Sequence, residues 1–138
     1  MKIYVGGSYS GRRRIAEEIS QTKWREEVVI LNQWQDDEFF VEKAWDNDLG
    51  GNVAEVMARL DESEVRDADL VIIDTVDRSS TGGSDTELGL ARSLGKRIVH
   101  IGPYRNIFQT LADTHYASWD EFRINEARRG RPVEGLNV

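Results

Sequence analysis

The segment Asp69–Asp74, DLVIID, decides the fold, because it is an unbroken apolar run with an acidic residue at each end. Such a run is typical of a strand that is buried on both faces of a parallel sheet. Val28–Leu31, VVIL, has the same character, while Lys2–Gly6, KIYVG, and Arg97–Gly102, RIVHIG, are short β-rich runs that end in glycine. These four segments predict strands, and His115–Ala117 predicts a short last one.

Segments with apolar residues at helical spacing lie between these strands. The predicted helices begin after Gly11, extend from the N-cap Asn52 to about Arg66, end at Gly95, and cover Trp119–Arg128. Strands that alternate with helices indicate βαβ units, whose right-handed crossovers build a doubly wound sheet. The prediction is an α/β fold with a parallel sheet of about five strands in three α/β/α layers.

Composition limits the class of protein. With 138 residues, of which 39% are hydrophobic, the chain can bury one core, so we expect a single domain over residues 1–138. A net charge of −7 provides no broad basic field for a nucleic acid polymer, and no apolar stretch is long enough for a membrane span. No signal peptide pattern follows Met1, and the absence of cysteine excludes disulfides and a cysteine nucleophile. We expect a cytoplasmic protein that binds a small molecule.

Residues 32–51 follow no clean period and contain two tryptophans and two phenylalanines. We expect a long irregular excursion that covers a site. Its aromatic side chains are suited to stack on a nucleobase, although aromatic-rich segments more often belong to a core or a dimer interface. The four residues are Trp34, Phe39, Phe40 and Trp45.

The first glycine-rich loop, Gly6–Gly11 with the sequence GGSYSG, leads into Arg12, Arg13 and Arg14. Backbone N–H groups, a helix N-terminus and arginine side chains all donate to phosphate oxygens, so the loop is a candidate phosphate site. Its spacing matches neither a Walker A loop nor a complete dinucleotide fingerprint. The alternative is a tight turn followed by solvated arginines, and the loop alone favours neither interpretation.

The second loop, Ser79–Ser84, follows the central strand and leads into Glu87. An acid in the first turn of a helix often serves only the helix dipole. Ligands of doubly wound sheets bind outside the carboxyl ends of the strands, where the strand order reverses, and this places Glu87 beside the expected crevice. If the first and central strands are neighbours, the two loops face each other. Asp61 on the preceding helix is a second candidate acid. The helix acids that have the pattern of solvated residues are Glu62, Glu64 and Asp67.

The two histidines, His100 and His115, have no acidic or histidine partner at metal-ligand spacing. Both are interpreted as structural or incidental. We therefore expect no metal ion and no cofactor, and activity that persists in excess EDTA.

In their order, the motifs resemble the nucleoside 2-deoxyribosyltransferases and their relatives, the nucleoside 5′-monophosphate N-glycosidases. Three blocks carry the likeness: Tyr4–Ser8, YVGGS; Asp61 with the downstream Ala68–Val71, ADLV; and Thr81–Gly83 before Glu87–Gly89, ELG. The stretch Gly95–Pro103 matches the strand that follows. The resemblance extends from the start of the chain to about Phe122, and the common order of the blocks is its main support.

This resemblance implies a flavodoxin-like sheet, a homodimer or larger homo-oligomer, and cleavage of an N-glycosidic bond. It implies that Glu87 is the nucleophile, Asp61 its acid partner and Tyr4 an active-site tyrosine. The chemistry is consistent, because departure of a base leaves oxocarbenium character at C1′ that a carboxylate can trap covalently. The candidate substrate-binding residues are Gly7, Ser8, Ser10, Arg12, Arg13, Thr81, Gly82, Gly83 and Asn106.

The first loop departs from the monophosphate N-glycosidase pattern Gly-Ser-x-Arg-Gly-Gly-Arg. Ser10 stands in place of the first arginine, Arg13 is kept and Arg12 is new. Phosphate binding is therefore expected in a remodelled form. The leading expectation is hydrolysis of a (deoxy)nucleoside 5′-monophosphate. The alternatives are base exchange between nucleosides and non-catalytic nucleotide binding.

Overall fold

The computed structural model describes residues 1–31, 51–77 and 83–135, without the side chains of residues 51–54 and 57. The helices and strands are β1 (Lys2–Gly6), α1 (Arg12–Gln21), β2 (Val29–Ile30), α2 (Gly51–Asp67), β3 (Leu70–Asp74), α3 (Gly83–Ser93), β4 (Arg97–Ile101), β5 (Thr114–Tyr116) and α4 (Trp119–Arg128). Short 3₁₀ helices cover Tyr9–Gly11 and Ile107–Leu111. The predicted alternation of strands and helices is confirmed.

In the described part of the chain, five strands form one parallel sheet in the order β2-β1-β3-β4-β5. The chain passes outward from β1 to β2 and then crosses to the other side of β1 to form β3. The strand order therefore reverses between β1 and β3, as in flavodoxin-like folds, and the predicted fold class is confirmed. Because β1 and β3 are parallel neighbours, the segments that follow them leave the sheet at the same edge.

Alternating side chains give the sheet two buried faces, and each is covered by a pair of helices. On one face, Ile3, Val5 and Ile72 are buried together with Ile15 of α1 and Phe122 of α4. The opposite face packs against α2 and α3. Its core consists of Tyr4, Val65, Ala68, Val71, Ile73, Leu88, Ala91 and Ile98. Tyr4 therefore points from the sheet toward the helix pair that also carries Asp61 and Glu87.

The second strand differs from its prediction. Val28–Leu31 was expected to be buried on both faces, but β2 pairs only with β1 and lies at the edge of the described sheet. Val29 is consequently 54% exposed. An apolar run identifies a strand, but it does not distinguish a central position from an edge position, because that depends on strand order.

Other boundaries agree closely with their predictions. Helix α3 ends at Ser93, and Gly95 has a φ of +68°, a left-handed conformation that suits glycine just after a helix. The last strand covers Thr114–Tyr116 instead of His115–Ala117. Among the described residues, no helix is long and apolar enough to cross a membrane. The aromatic residues of the expected excursion lie outside the described residues: Trp34, Phe39, Phe40 and Trp45.

Candidate active site

A hydrogen bond between Tyr4 and Glu87 joins β1 to α3. Tyr4 is 1% exposed, and its hydroxyl donates to Oε1 of Glu87 at 2.7 Å. The second oxygen of this carboxylate, Oε2, is buried and has no hydrogen-bond partner among the described residues. One oxygen of Glu87 is thus fixed by a phenol, while no described residue forms a hydrogen bond with the other.

Gly6 provides the space for this carboxylate. A Cβ atom at Gly6 would lie 2.1 Å from Oε2 of Glu87, far inside van der Waals contact. The glycine that ends β1 therefore lets the carboxylate approach the strand backbone. Gly6 was not among the predicted site residues, although a glycine at the carboxyl end of a strand is a signal of close approach.

The surroundings of Glu87 favour its protonated form. Burial raises the pKa of Glu87 to about 8, and the charges of Asp61 and Glu64 add to this rise. The hydrogen bond from Tyr4 acts in the opposite direction, because it stabilises the ionised carboxylate. Burial and the charge of Glu87 raise the pKa of Tyr4 well above its usual value, so the phenol keeps its proton and remains a donor.

Two acids of α2 belong to this group. Burial raises the pKa of Asp61 to about 6, and burial with the charge of Asp61 raises the pKa of Glu64 to about 7. Both side chains are partly buried, whereas Glu62 and Asp67 are exposed. The interpretation of Glu64 as a solvated acid is therefore wrong. Its signal was the spacing of three residues from Asp61, which places both acids on one helix face.

The serines of the first loop organise the loop itself. Buried Ser8 caps the 3₁₀ helix, because its Oγ accepts a hydrogen bond from the Gly11 N–H at 3.2 Å. Its Oγ also lies 3.3 Å from the Oγ of Ser10, which is exposed. A Cβ at Gly7 would lie 2.5 Å from Cδ1 of Ile15, so Gly7 allows α1 to pack closely.

The side chains of Arg12, Arg13 and Arg14, which follow the first loop, point in different directions. The Arg12 guanidinium lies over the ring of Tyr9, 4.1 Å from its centroid, and its Nη1 donates to the Tyr9 carbonyl at 3.2 Å. Arg13 is exposed, while Arg14 turns inward. Arg12 and Arg13 are thus the first two residues of α1, next to the first loop, whereas Arg14 turns toward Asp74.

Arg14 holds two carboxylates at the end of β3. Its Nη2 donates to Asp74 at 2.7 Å and its Nε donates to Asp77 at 3.0 Å. Asp74 is 2% exposed and also accepts from the indole of Trp119 at 2.7 Å. Oδ2 of Asp77 would lie 1.9 Å from a Cβ at Gly11, so this carboxylate packs against the loop just before α1. The carboxylate of Asp77 therefore lies beside the predicted phosphate loop.

Contacts around the second loop fix the start of α3. Thr81 and Gly82 lie outside the described residues, and Gly83 is the first residue of α3. Asn106 caps the second 3₁₀ helix, and its Nδ2 donates to Asp85 at 2.8 Å. Gln109 donates to the same carboxylate at 3.3 Å. Asn106 thus anchors the turn of α3 that precedes Glu87.

The two histidines interact with each other and with Thr75. The Thr75 hydroxyl donates to the Pro103 carbonyl at 2.6 Å. Nε2 of His100 lies 2.6 Å from Oγ1 of Thr75 and, because that hydroxyl proton is already used, donates to Oγ1. The Nδ1 atoms of His100 and His115 lie 2.8 Å apart. Burial lowers the pKa of His100 to about 4, consistent with a neutral ring inside the fold.

Comparisons with known proteins address the fold. No protein-family model and no curated protein matches the sequence. Among solved structures, the chain is similar to a CMP N-glycosidase of Clostridium botulinum, BcmB, with a TM-score of 0.52 and 14% sequence identity. The match covers 88% of this chain and 95% of that chain. At this identity the likeness shows a common fold: the chain has the flavodoxin-like α/β fold of that glycosidase.

Proposed function

We propose that the protein is an N-glycosidase that hydrolyses the base–sugar bond of a (deoxy)nucleoside 5′-monophosphate. The observation that carries the proposal is the Glu87 carboxylate, fixed through Oε1 by Tyr4, with a buried Oε2 that has no partner among the described residues. It lies next to the reversal of strand order between β1 and β3, where doubly wound folds bind ligands. Oε2 is the atom that would attack C1′.

The proposed reaction has two steps. Oε2 of Glu87 forms a bond to C1′ while the C1′–N bond breaks, and the departing base takes its electron pair and a proton from a neighbouring carboxylic acid, assigned to Asp61. Water then attacks C1′, gives a proton to the ionised Asp61 and releases Glu87 as a carboxylate. Two similar displacements replace one difficult hydrolysis.

The phosphate would be held by the first loop. Arg12 and Arg13 offer charge-assisted hydrogen bonds, and the Ser8 and Ser10 hydroxyls offer neutral ones. The fold shared with a glycosidase of CMP is consistent with a monophosphate substrate. Thr81, Gly82 and Gly83 of the second loop remain candidates for the same ligand.

Base exchange between nucleosides is the second candidate, and a specific observation favours it. Asp77 packs against Gly11 and pairs with Arg14, so the chain's own carboxylate occupies part of the first loop's surroundings. A negative charge beside the loop repels a phosphate and therefore favours a nucleoside without phosphate as the substrate. Base exchange is the alternative that uses such a nucleoside.

Chromatography of reaction mixtures separates these candidates. The protein is incubated with the common nucleosides and their 5′-monophosphates, each with and without a second free base. Free base from a monophosphate is the expected result, and a new nucleoside that appears only when the second base is added would indicate transfer. Saturable binding without any base release would mean a non-catalytic nucleotide-binding protein.

Replacing both Arg12 and Arg13 with alanine should lower kcat/KM for a monophosphate far more than for the matching nucleoside. Each charge-assisted hydrogen bond contributes about 1.5–3 kcal/mol, and only the phosphorylated substrate has oxygens to receive it. The measurement is kcat/KM for both substrates. The double variant Arg59→Ala with Arg66→Ala removes two equal charges from α2 and is the control. Equal losses on both substrates would favour the nucleoside transferase instead.

The pH dependence of the reaction follows from the order of the pKa values. The reaction needs Glu87 ionised and Asp61 protonated, yet the pKa of Glu87, about 8, lies above that of Asp61, about 6. The productive form is therefore a minority form, and kcat/KM should be bell-shaped with limbs near pH 6 and pH 8.

Tyr4→Phe tests the origin of the alkaline limb. The substitution removes the Tyr4 hydroxyl and with it the hydrogen bond that lowers the pKa of Glu87, so the pKa of Glu87 rises. We expect the alkaline limb to move upward by about one pH unit and the plateau to fall by about tenfold, since a hydrogen bond to a charged group contributes about 1.5–3 kcal/mol. A limb that stays in place or moves downward would contradict the assignment of Glu87.

A further inference from the structure

The Arg14 guanidinium has one buried partner and one that solvent reaches. On its inner side, Nη2 donates to Oδ1 of Asp74 at 2.7 Å. Asp74 is 2% exposed, and it also accepts hydrogen bonds from the Val76 N–H at 3.0 Å and from the Trp119 indole at 2.7 Å. Three donors therefore hold Asp74, and Asp74 in turn fixes the position of the guanidinium.

Asp77 contacts another edge of the same guanidinium. Its Oδ2 accepts a hydrogen bond from Nε of Arg14 at 3.0 Å and lies 2.9 Å from Nη2. The side chains of Asp77 and Arg14 are both about one-third exposed, at 36% and 31%. An ion pair that water reaches is weak, because solvent screens the attraction and competes for its hydrogen bonds. Another anion can therefore replace Asp77 on Arg14 at little cost, whereas the buried Asp74 stays in place.

The Asp77 carboxylate lies among the groups that are candidates for phosphate binding. A Cβ atom at Gly11 would lie 1.9 Å from Oδ2 of Asp77 and 3.1 Å from Oγ of Ser8, so both oxygens lie beside Gly11. Gly11 directly precedes the first residue of α1. Carboxylates and phosphates present similar anionic oxygens to an arginine. The Asp77 carboxylate thus has the chemistry and the position of a stand-in for a phosphate.

We propose that Asp77 is the specificity-determining residue for the phosphate end of the substrate: its carboxylate pairs with Arg14 in the free protein, and the 5′-phosphate of a nucleotide replaces it there. This inference rests on the proposed N-glycosidase function, and it adds Arg14 to Arg12 and Arg13 as a phosphate ligand. The displaced carboxylate stays close to the bound phosphate, and the two negative charges repel each other. Asp77 therefore weakens binding of the monophosphate without acting on a nucleoside that lacks the phosphate.

The test measures kcat and KM of Asp77→Asn and Asp77→Ala on a nucleoside 5′-monophosphate and on the matching nucleoside. The ratio of kcat/KM for the monophosphate to kcat/KM for the nucleoside should rise about tenfold or more, because like charges in close contact strongly oppose association. The rise should lie in KM for the monophosphate, since Asp77 acts on the phosphate and not on C1′. Asp67→Asn is the matched control, because it removes an exposed acid that pairs with Lys2 at 3.0 Å, and its ratio should equal that of the wild type.

A binding measurement tests the same residue without catalysis. Inorganic phosphate that binds Arg14 stabilises the folded protein, so it should raise the Tm of Asp77→Asn by more than that of the wild type or Asp67→Asn, relative to chloride at equal ionic strength. An unchanged substrate ratio, or equal stabilisation of all three proteins by phosphate, would overturn the role of Asp77. A wild type that releases no base from any nucleotide or nucleoside contradicts the proposed function instead, and the phosphate measurement still decides the role of Asp77.

Discussion

Glu87→Ala and Glu87→Gln are expected to abolish base release while leaving the fold intact. The nucleophile is the group that forms a bond to C1′, and enzymes that lose such a group lose on the order of 10⁴- to 10⁶-fold in kcat. Glutamine preserves the size of the side chain and can still accept the hydrogen bond from Tyr4. It cannot form the ester intermediate, so the loss reports on chemistry and not on shape.

Stability should move in the opposite direction to activity. The folded-state pKa of Glu87 is raised to about 8, so its contribution to stability is present below its unfolded pKa and is lost as the pH rises through 8. Glu87→Gln removes a group that resists ionisation. Its free energy of unfolding should therefore equal or exceed that of the wild type at alkaline pH.

Chromatographic base release together with circular dichroism and denaturant unfolding checks these expectations. Glu62→Gln is the matched control, because it neutralises an exposed acid that is paired with Arg66. Wild-type base release by a folded Glu87→Ala protein would remove Glu87 from the mechanism.

Asp61→Asn should reduce kcat by about 10²- to 10⁴-fold, the range expected for loss of a positioned acid or base. An amide cannot give a proton to the departing base or accept one from the attacking water. The measurement is single-turnover and steady-state base release by Asp61→Asn, compared with Asp69→Asn and Asp85→Asn.

These two comparison variants test other carboxylates close in sequence to the site motifs. Asp69 accepts a hydrogen bond from the backbone N–H of Lys2 at 2.8 Å, at the start of β1. Asp85 is held by Asn106 and Gln109. Full activity of Asp61→Asn combined with loss in either comparison variant would mean that the acid has been assigned to the wrong residue.

The strands themselves were predictable from the sequence for a physical reason. Central strands of parallel sheets are buried on both faces, and Leu70–Asp74 shows this as an apolar run, while Arg97–Ile101 is a short β-rich segment. Alternation with helices then leaves few topologies. The edge position of β2 was missed, because strand order depends on crossovers between distant segments.

The directions of the side chains are the part of the site that could not be predicted from the sequence. Three consecutive arginines give no sign of which one turns inward. Arg14 does so because it pairs with Asp74 and Asp77, which lie 60 and 63 residues away in the sequence. The role of Gly6 depends on a carboxylate carried by α3. Glu64 had a usable signal in its spacing from Asp61, but that signal has meaning only when one knows which face of α2 meets the sheet.

Covalent trapping at Glu87 tests the central claim most directly. A 2′-fluoro-arabinonucleoside 5′-monophosphate with the base that the wild type releases fastest slows both steps, because fluorine destabilises positive charge at C1′. Intact-mass and peptide mass spectrometry should then show one fluoro-sugar phosphate on the peptide that contains Glu87, with no adduct in Glu87→Gln. A wild type that releases base from the parent nucleotide but carries no adduct, or carries it on another residue, would contradict the account.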